Sequence, residues 1–219
     1  MILNGVKSGL QPFLVQLRDK DYNLIPGIET GDMGLKFGYE SKDNGWLQFK
    51  NIRVTKDAML SRFSKIDDEG NLEIMGDLRV LYSCMMMVRL HIVRGAGFLC
   101  MKSLKIAIRY ACVRRQFKSQ TGKKGERKLM DYQTHLYKLG PILARAWIMQ
   151  INGEIVAKRH EQLLKEIKEG NFELMDISHH FLSGYKSLFT EWTYQGIEDA
   201  RIACGGAGFL RMAGFADQH

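Results

Sequence analysis

The chain has only three prolines and four cysteines in 219 residues, and what is scarce in it narrows the field first. With so little proline and no low-complexity tract, it does not read as a linker or a disordered arm. Cys84, Cys100, Cys112 and Cys204 are scattered, with no CxxC or metal-ligand spacing. They are expected to be buried, reduced thiols, as in an intracellular compartment, rather than a disulfide or zinc framework. No run of about eighteen uncharged apolar residues occurs. The most apolar stretch, VLYSCMMMVRLHIVRGAGFLCMKSLKIAI, is interrupted by Arg89, Arg94, Lys102 and Lys105, so no membrane span is expected. The opening MILNGVKSGL has neither the basic start nor the long apolar centre of a signal peptide. There is no Ser-His-Asp arrangement, Walker loop or HExxH motif. His179 and His180 are adjacent on an expected helix, so their side chains point about 100° apart and cannot chelate one metal.

What is present is a globular composition, 45% hydrophobic and 26% charged, with a formal net charge of +8. The charge is local. Arg114, Arg115, Lys118, Lys123, Lys124, Arg127 and Lys128 face only Glu126 within fifteen residues. Such a segment suits a solvated loop, a nucleic-acid contact or the landing place of a phosphorylated small ligand. Aromatics do not interleave it apart from Phe117, so nucleic acid is not an expected partner.

Residues 1–66 read as β structure: PFLVQLRD as a short strand before the turn DKDYN, and GWLQFKNIRVT as another, with Leu47 and Phe49 on one face. The polar SKIDDEGNLEIMGD is a hinge. From Asp77, a credible N-cap, the helical period takes over and runs to about Gln116, with Gly95 and Gly97 marking a break or a close helix approach. A second helix is expected from near Glu126. Its seam would be Leu129, Tyr132, Leu136, Leu139, Leu143, Ala146 and Gln150, kinked by Pro141 and capped at Gly170. A third spans about Asp176 to Cys204, after which Gly205 or Gly206 can take the left-handed conformation. The fold class is α+β: a partial β-barrel or sheet segment over 1–66, followed over 77–219 by a long-helix antiparallel bundle. The glycine run GGAG does not follow a strand, so it is no Rossmann fingerprint and is explained by a helix cap alone. Arg114 and Gln116 are likewise explained by a helix end, where an arginine meets the negative pole of the dipole.

Four segments taken together resemble one family. LIPGIETGDMGLKFGYESKDNGWLQFKNIRV is similar to the β-domain segment of peroxisomal acyl-CoA oxidases, with its PG…GDxGxKFGY…DNGxL pattern. AIRYACVRRQF resembles the family helix carrying Y-x-x-V-R-x-Q, and LMDYQTHLYKL its DxQxxxYKL helix. SHHFLSGYKSLFTEWTYQGIEDARIACGGAGF resembles the helix and R-x-A-C-G-G-x-G-aromatic turn that follow. Order and spacing agree from about residue 9 to 215.

The resemblance implies an FAD-dependent acyl-CoA oxidase of fatty-acid β-oxidation, peroxisomal and homodimeric through its helical bundle. Such an enzyme converts a fatty acyl-CoA to the trans-2-enoyl-CoA and passes the electrons to O2, giving H2O2. It implies that Arg114 and Gln116 contact the cofactor, the arginine through parallel bonds to its pyrophosphate. It implies further that Gly205, Gly206 and Gly208 let backbone approach the adenosine-diphosphate part of FAD, usually in the partner subunit of the dimer. Asp131 and Gln133 fall on positions that look structural or interfacial. The family usually has histidine and tyrosine where Ala207 and Phe209 stand. It also begins with a helical domain ahead of the equivalent of Met1, and its catalytic glutamate lies beyond the glycine turn. The expectation is therefore a fragment, inactive alone, with no catalytic residue assignable; Glu191 and Glu198 precede the turn and do not match the base. The alternatives are a non-catalytic, degenerate helical dimerisation module of the same family, or a dehydrogenase variant that passes electrons to a carrier protein.

Overall fold

Short hairpins set by glycine and asparagine build the first part of the chain. Asn4 and Gly5 both sit at positive φ (49° and 80°) between β1 (Ile2–Leu3) and β2 (Val6–Lys7), the two-residue loop that closes a tight antiparallel pair. The computed structural model describes residues 1–36, 38, 41–77, 79–80, 83–118 and 125–218, and the chain forms two units, Met1–Tyr82 and Ser83–His219.

In the first unit, β3 (Ile28–Asp32) pairs antiparallel with β4 (Gly45–Phe49), Ile28 opposite Phe49 and Asp32 opposite Gly45. Gly31 faces Trp46 across the pair, and a Cβ there would lie 2.7 Å from the indole nitrogen. The strand thus carries glycine because the neighbouring ring lies over it. β5 (Ser64–Ile66) pairs with β6 (Leu72–Ile74) around a turn in which the Asp67 carboxylate accepts the Asn71 amide at 2.7 Å. Ser64 is buried and donates to the Gln11 amide oxygen at 2.7 Å. No sheet among the described residues has more than two strands, so no barrel forms there. PFLVQLRD contributes only the isolated bridges Phe13–Met59 and Arg18–Leu24.

The second unit is an antiparallel bundle of α1 (Ser83–Val113), α2 (Gln133–Lys168) and α3 (Leu174–Ala203). Arg94 of α1 pairs with Glu154 of α2 at 2.9 Å, while Arg89 of α1 reaches His179 Nδ1 (3.0 Å) and Ser183 (3.1 Å) of α3. Thr193 of α3 donates to the Ala96 carbonyl at 2.9 Å. The first and third helices therefore run in the same direction, and the second returns between them. Glycines mark the close contacts. A Cβ on Gly97 would meet the Gln150 amide nitrogen at 3.0 Å, and one on Gly196 would meet Cys100 Sγ and Ile142 Cγ2 at 2.9 Å. Gly95 has open space beside it, so of the two α1 glycines only Gly97 serves the packing.

α1 is long and apolar enough to cross a membrane by length and composition. In the fold it lies against both other helices, and Val93, Cys100, Leu104 and Ala111 are among its most deeply buried residues. The Asp77 carboxylate accepts the Arg79 amide at 2.8 Å and binds its guanidinium, the bond an N-cap makes to the turn that follows it, and α1 is described from Ser83. α2 begins at Gln133 rather than near Glu126 and continues through Pro141. Its buried seam is Leu139, Ile142, Ala146, Met149, Gly153 and Val156, while Leu136 and Leu143 face outward. Gly170 has φ 83° just beyond the helix, the left-handed position a C-terminal cap uses. None of the four cysteines is in a disulfide. Cys100 and Cys204 are buried, but Cys84 and Cys112 are exposed, because they fall on the outward side of α1.

Candidate functional site at the C-terminal ends of α1 and α3

Because α1 and α3 run in the same direction, their C-terminal ends share one end of the bundle. α1 stops at Val113, and the Arg114 amide still donates to the Tyr110 carbonyl at 2.8 Å. The chain then leaves the helix in a hairpin, β7 (Arg115–Lys118) with β8 (Glu126–Lys128), bulged between Arg115 and Lys118. The expected helical run to Gln116 is thus cut short. Arg114 accepts the Leu129 amide at 2.9 Å, and the Tyr132 hydroxyl donates to the Gln116 carbonyl at 2.8 Å. Inside the bulge Phe117 holds φ 62° with its ring exposed, a conformation an aromatic residue rarely adopts. The Arg127 guanidinium lies 4.7 Å over the Tyr132 ring and donates to the Asp131 carbonyl. Gln133 is exposed on the first turn of α2. Lys123 and Lys124 of the basic segment lie outside the described residues.

At the end of α3 the chain turns through a 3-10 segment, Gly205–Phe209, in which the three glycines meet different demands. Gly205 has φ 59°. Gly208 is buried, and a Cβ there would lie 2.1 Å from the Arg201 carbonyl oxygen, so the turn folds back too tightly for any side chain. Gly206 is exposed, has ordinary φ, and has nothing within 4 Å of a built Cβ. The fold itself accounts for two glycines and leaves the third without an internal reason. Ala207 and Leu210 of this turn, with Met212 and Phe215, line an apolar depression that Ile106 and Tyr110 of α1 complete. The following residues dock on α1: Phe215 is buried, Ser103 donates to the Gln218 amide oxygen at 3.0 Å, and Gln218 donates to the Gly214 carbonyl at 2.8 Å.

Of the five candidate residues, Arg114 and Gln116 therefore stand on the segment leaving α1, and Gly205, Gly206 and Gly208 on the segment leaving α3, at the same end of the bundle. Arg114 is exposed and makes no ion pair with any described residue. The exposed Arg114 guanidinium can bond an anion in bidentate fashion and the Gly206 backbone is uncovered, while the helix ends here are C-terminal, the negative pole of the dipole, and add no attraction for an anion. The two glutamates set aside as bases are engaged elsewhere. Glu198 pairs with Arg201 at 2.5 Å and Glu191 accepts from Gln195 at 2.6 Å. The described residues contain no cluster of three metal-ligating side chains.

One polar group escaped notice in the sequence. His160 lies at the opposite end of the bundle, only 4% exposed, and neither ring nitrogen has a hydrogen-bond partner among the described residues. Burial first, then the neighbouring His91, lower its pKa below the ordinary value, with Glu161 opposing. Its place in the run Val156, His160, Leu163, Ile167, at three- and four-residue steps, was the available signal, since those positions belong to the buried face of α2.

Residues 82–219 match the family model for the acyl-CoA oxidase C-alpha1 domain. The chain is 39% identical over 210 residues to acyl-coenzyme A oxidase acox-1.1 of Caenorhabditis elegans, covering 95% of this chain and 31% of that protein. It is 35% identical over 216 residues to peroxisomal acyl-coenzyme A oxidase 1 of Cavia porcellus, covering 98% and 32%. Among solved structures it superposes on Arabidopsis thaliana acyl-CoA oxidase 1 with a TM-score of 0.89 and 36% identity, over 99% of this chain and 34% of the other. It does so equally on acyl-CoA oxidase-1 of C. elegans complexed with FAD and ATP, with a TM-score of 0.89, 36% identity and coverage of 98% and 32%. The chain spans about a third of the length of the relatives it matches.

Proposed function

The chain belongs to the acyl-CoA oxidase family, and on that premise we propose that it serves an FAD-dependent acyl-CoA oxidase of fatty-acid β-oxidation. The reaction is conversion of a fatty acyl-CoA to the trans-2-enoyl-CoA, with O2 reduced to H2O2, in the peroxisome from which several relatives take their names. The observation that carries the proposal is the presence, at one end of the bundle, of an exposed Arg114 with no ion pair among the described residues and of an exposed Gly206 whose Cβ would meet nothing within 4 Å.

In this reading Arg114 gives two parallel N–H bonds to phosphate oxygens, and Gln116 adds a neutral partner from the same strand. Gly205 and Gly208 shape the turn, and Gly206 supplies bare backbone for a diphosphate to approach. A bound flavin supplies hydride acceptance, which no side chain of this chain can provide. The residues here bind and orient; none is assigned as the base that removes the α proton. The hairpins of Met1–Tyr82, β6 at Leu72–Ile74 included, are the C-terminal part of a β domain, and a partial barrel would need strands from elsewhere in a longer chain. Ser83–His219 are the helical domain, a boundary six residues later than the one expected from the sequence.

The bundle also offers a surface for a homodimer. Leu143, Trp147, Ile151 and Ile155 recur at four-residue steps along α2, and all are more than a third exposed. The competing reading, a degenerate dimerisation module without cofactor, draws on the same stripe and on Ala207 and Phe209. Flavin content separates the two. Arg114→Ala is expected to lower flavin retained through purification by at least about tenfold, the equivalent of one charge-assisted bond, with the helical circular-dichroism signal unchanged. Equal flavin absorbance in the variant would remove Arg114 from the site.

A further inference from the structure

The outward side of α1 is one-sided in charge. No aspartate or glutamate occurs between Asp77 and Glu126, so every formal charge on the helix is a cation. Two of these cations are engaged within the bundle: Arg94 pairs with Glu154 of α2, and Arg89 reaches His179 and Ser183 of α3. Lys102, Lys105 and Arg109 are exposed and make no ion pair with any described residue. They continue a row that begins at Val88 and passes through Gly95 and Phe98. Its steps of seven, three and four residues keep all six on one side of the helix. Val88 is 49% and Phe98 63% exposed. Glycine inside a helix is destabilising against alanine. At Gly97 and Gly196 the missing side chain admits a neighbouring helix, whereas at Gly95 nothing lies within 4 Å of a built Cβ.

We propose that this side of α1 docks an acidic helix of a partner protein. The partner's backbone would approach at Gly95, its apolar side chains would lie against Val88 and Phe98, and its carboxylates would meet Lys102, Lys105 and Arg109. The seven-residue recurrence is the pattern by which one helix seats along another. Charge decides the partner. Three cations within about 10 Å of helix, with no carboxylate of their own, raise the local potential. An acidic helix relieves it, whereas a second α1 would bring no carboxylate. The lysine stems can lie along an apolar neighbour while their ammonium groups reach carboxylates beside it. Phe98 is the one aromatic side chain in the row, too few for bases to stack on in succession, so nucleic acid is the less favoured occupant. The surface uses neither Arg114 nor the glycine turn, and its failure would leave the flavin assignment untouched.

The test is a calorimetric titration of the full chain with a synthetic three-heptad helix. That peptide has leucine at the first and fourth positions of each heptad and glutamate flanking them. Its counterparts are the same peptide with lysine for glutamate, and a single-stranded DNA of matched charge. The acidic peptide is expected to bind at least about tenfold more tightly than either counterpart, and to weaken about tenfold or more between about 50 mM and 500 mM salt. The double variant Lys102→Glu/Lys105→Glu is expected to weaken it by at least the same factor, with the helical signal retained. Gly95→Leu is expected to keep or raise the thermal midpoint, since the space beside it is open and leucine is the better helix former, yet to weaken the peptide about tenfold or more. That variant keeps the test decisive should the double variant fail to fold. The proposal is overturned if the acidic peptide does not bind, if either counterpart binds as tightly, or if Gly95→Leu leaves the peptide's affinity unchanged.

Discussion

Gly206 and Gly208 are two residues apart and answer to different forces. A methyl on Gly208 would fall 2.1 Å from the Arg201 carbonyl, so Gly208→Ala must unwind the turn. It is expected to cost about 2 kcal/mol or more in a denaturant melt. A methyl on Gly206 meets nothing, so Gly206→Ala is expected to leave stability within about 0.5 kcal/mol while reducing flavin retention. If Gly206→Ala keeps the full flavin complement, the turn is a helix cap and nothing more. His160 makes the second residue-scale prediction. Its folded pKa is lowered, so the unfolded chain takes up a proton there first as the pH falls through about 6.5. Its contribution to stability is therefore complete above that pH and is lost progressively below it. His160→Leu is expected to flatten the fall in thermal midpoint between pH 7 and pH 5. It should not abolish that fall, because burial lowers the pKa of His135 in the same direction. An identical pH profile in the variant would place the effect elsewhere.

Among the elements, the helices were legible from periodicity, and their ends only where a local signal marked them. The sequence places α3 within two residues of its observed span, because its apolar stripe ends on a glycine that takes positive φ, an intrinsic signal. At the end of α1 the local pattern favours more helix, yet Arg115–Lys118 pairs with Glu126–Lys128. The partner strand and the Tyr132 hydroxyl bond decide that point, and neither is encoded within the helix's own period. Helix packing has its own test. Gly196 lets α3 approach Cys100 of α1 and Ile142 of α2, both 2.9 Å from a built Cβ. Gly196→Ala is therefore expected to cost about 1–3 kcal/mol by overpacking, even though alanine is the better helix former. A denaturation midpoint equal to or above the parent's would show that the helices shift apart without penalty.

For the molecule as a whole, the apolar stripe on α2 raises the question of what covers it. If the bundle mediates a homodimer, Trp147→Glu sets a charge in the middle of Leu143, Ile151 and Ile155. The expected result is a shift toward monomer in sedimentation velocity at micromolar concentration, with helicity unchanged. A variant that sediments as the parent does would rule out a dimer through this stripe.

The helical bundle followed from periodicity and the family from the resemblance of four motifs in order along the chain, and the five candidate cofactor contacts rest on that resemblance alone. Tertiary structure alone decided the rest. It brought Arg114 and the glycine turn to one end of the bundle by running α1 and α3 in the same direction. It separated the glycine that packs against Arg201 from the one that meets nothing, and it left His160 buried with no hydrogen-bond partner among the described residues. Each is a matter of which groups meet across helices far apart in sequence, and local periodicity carries no record of those distances.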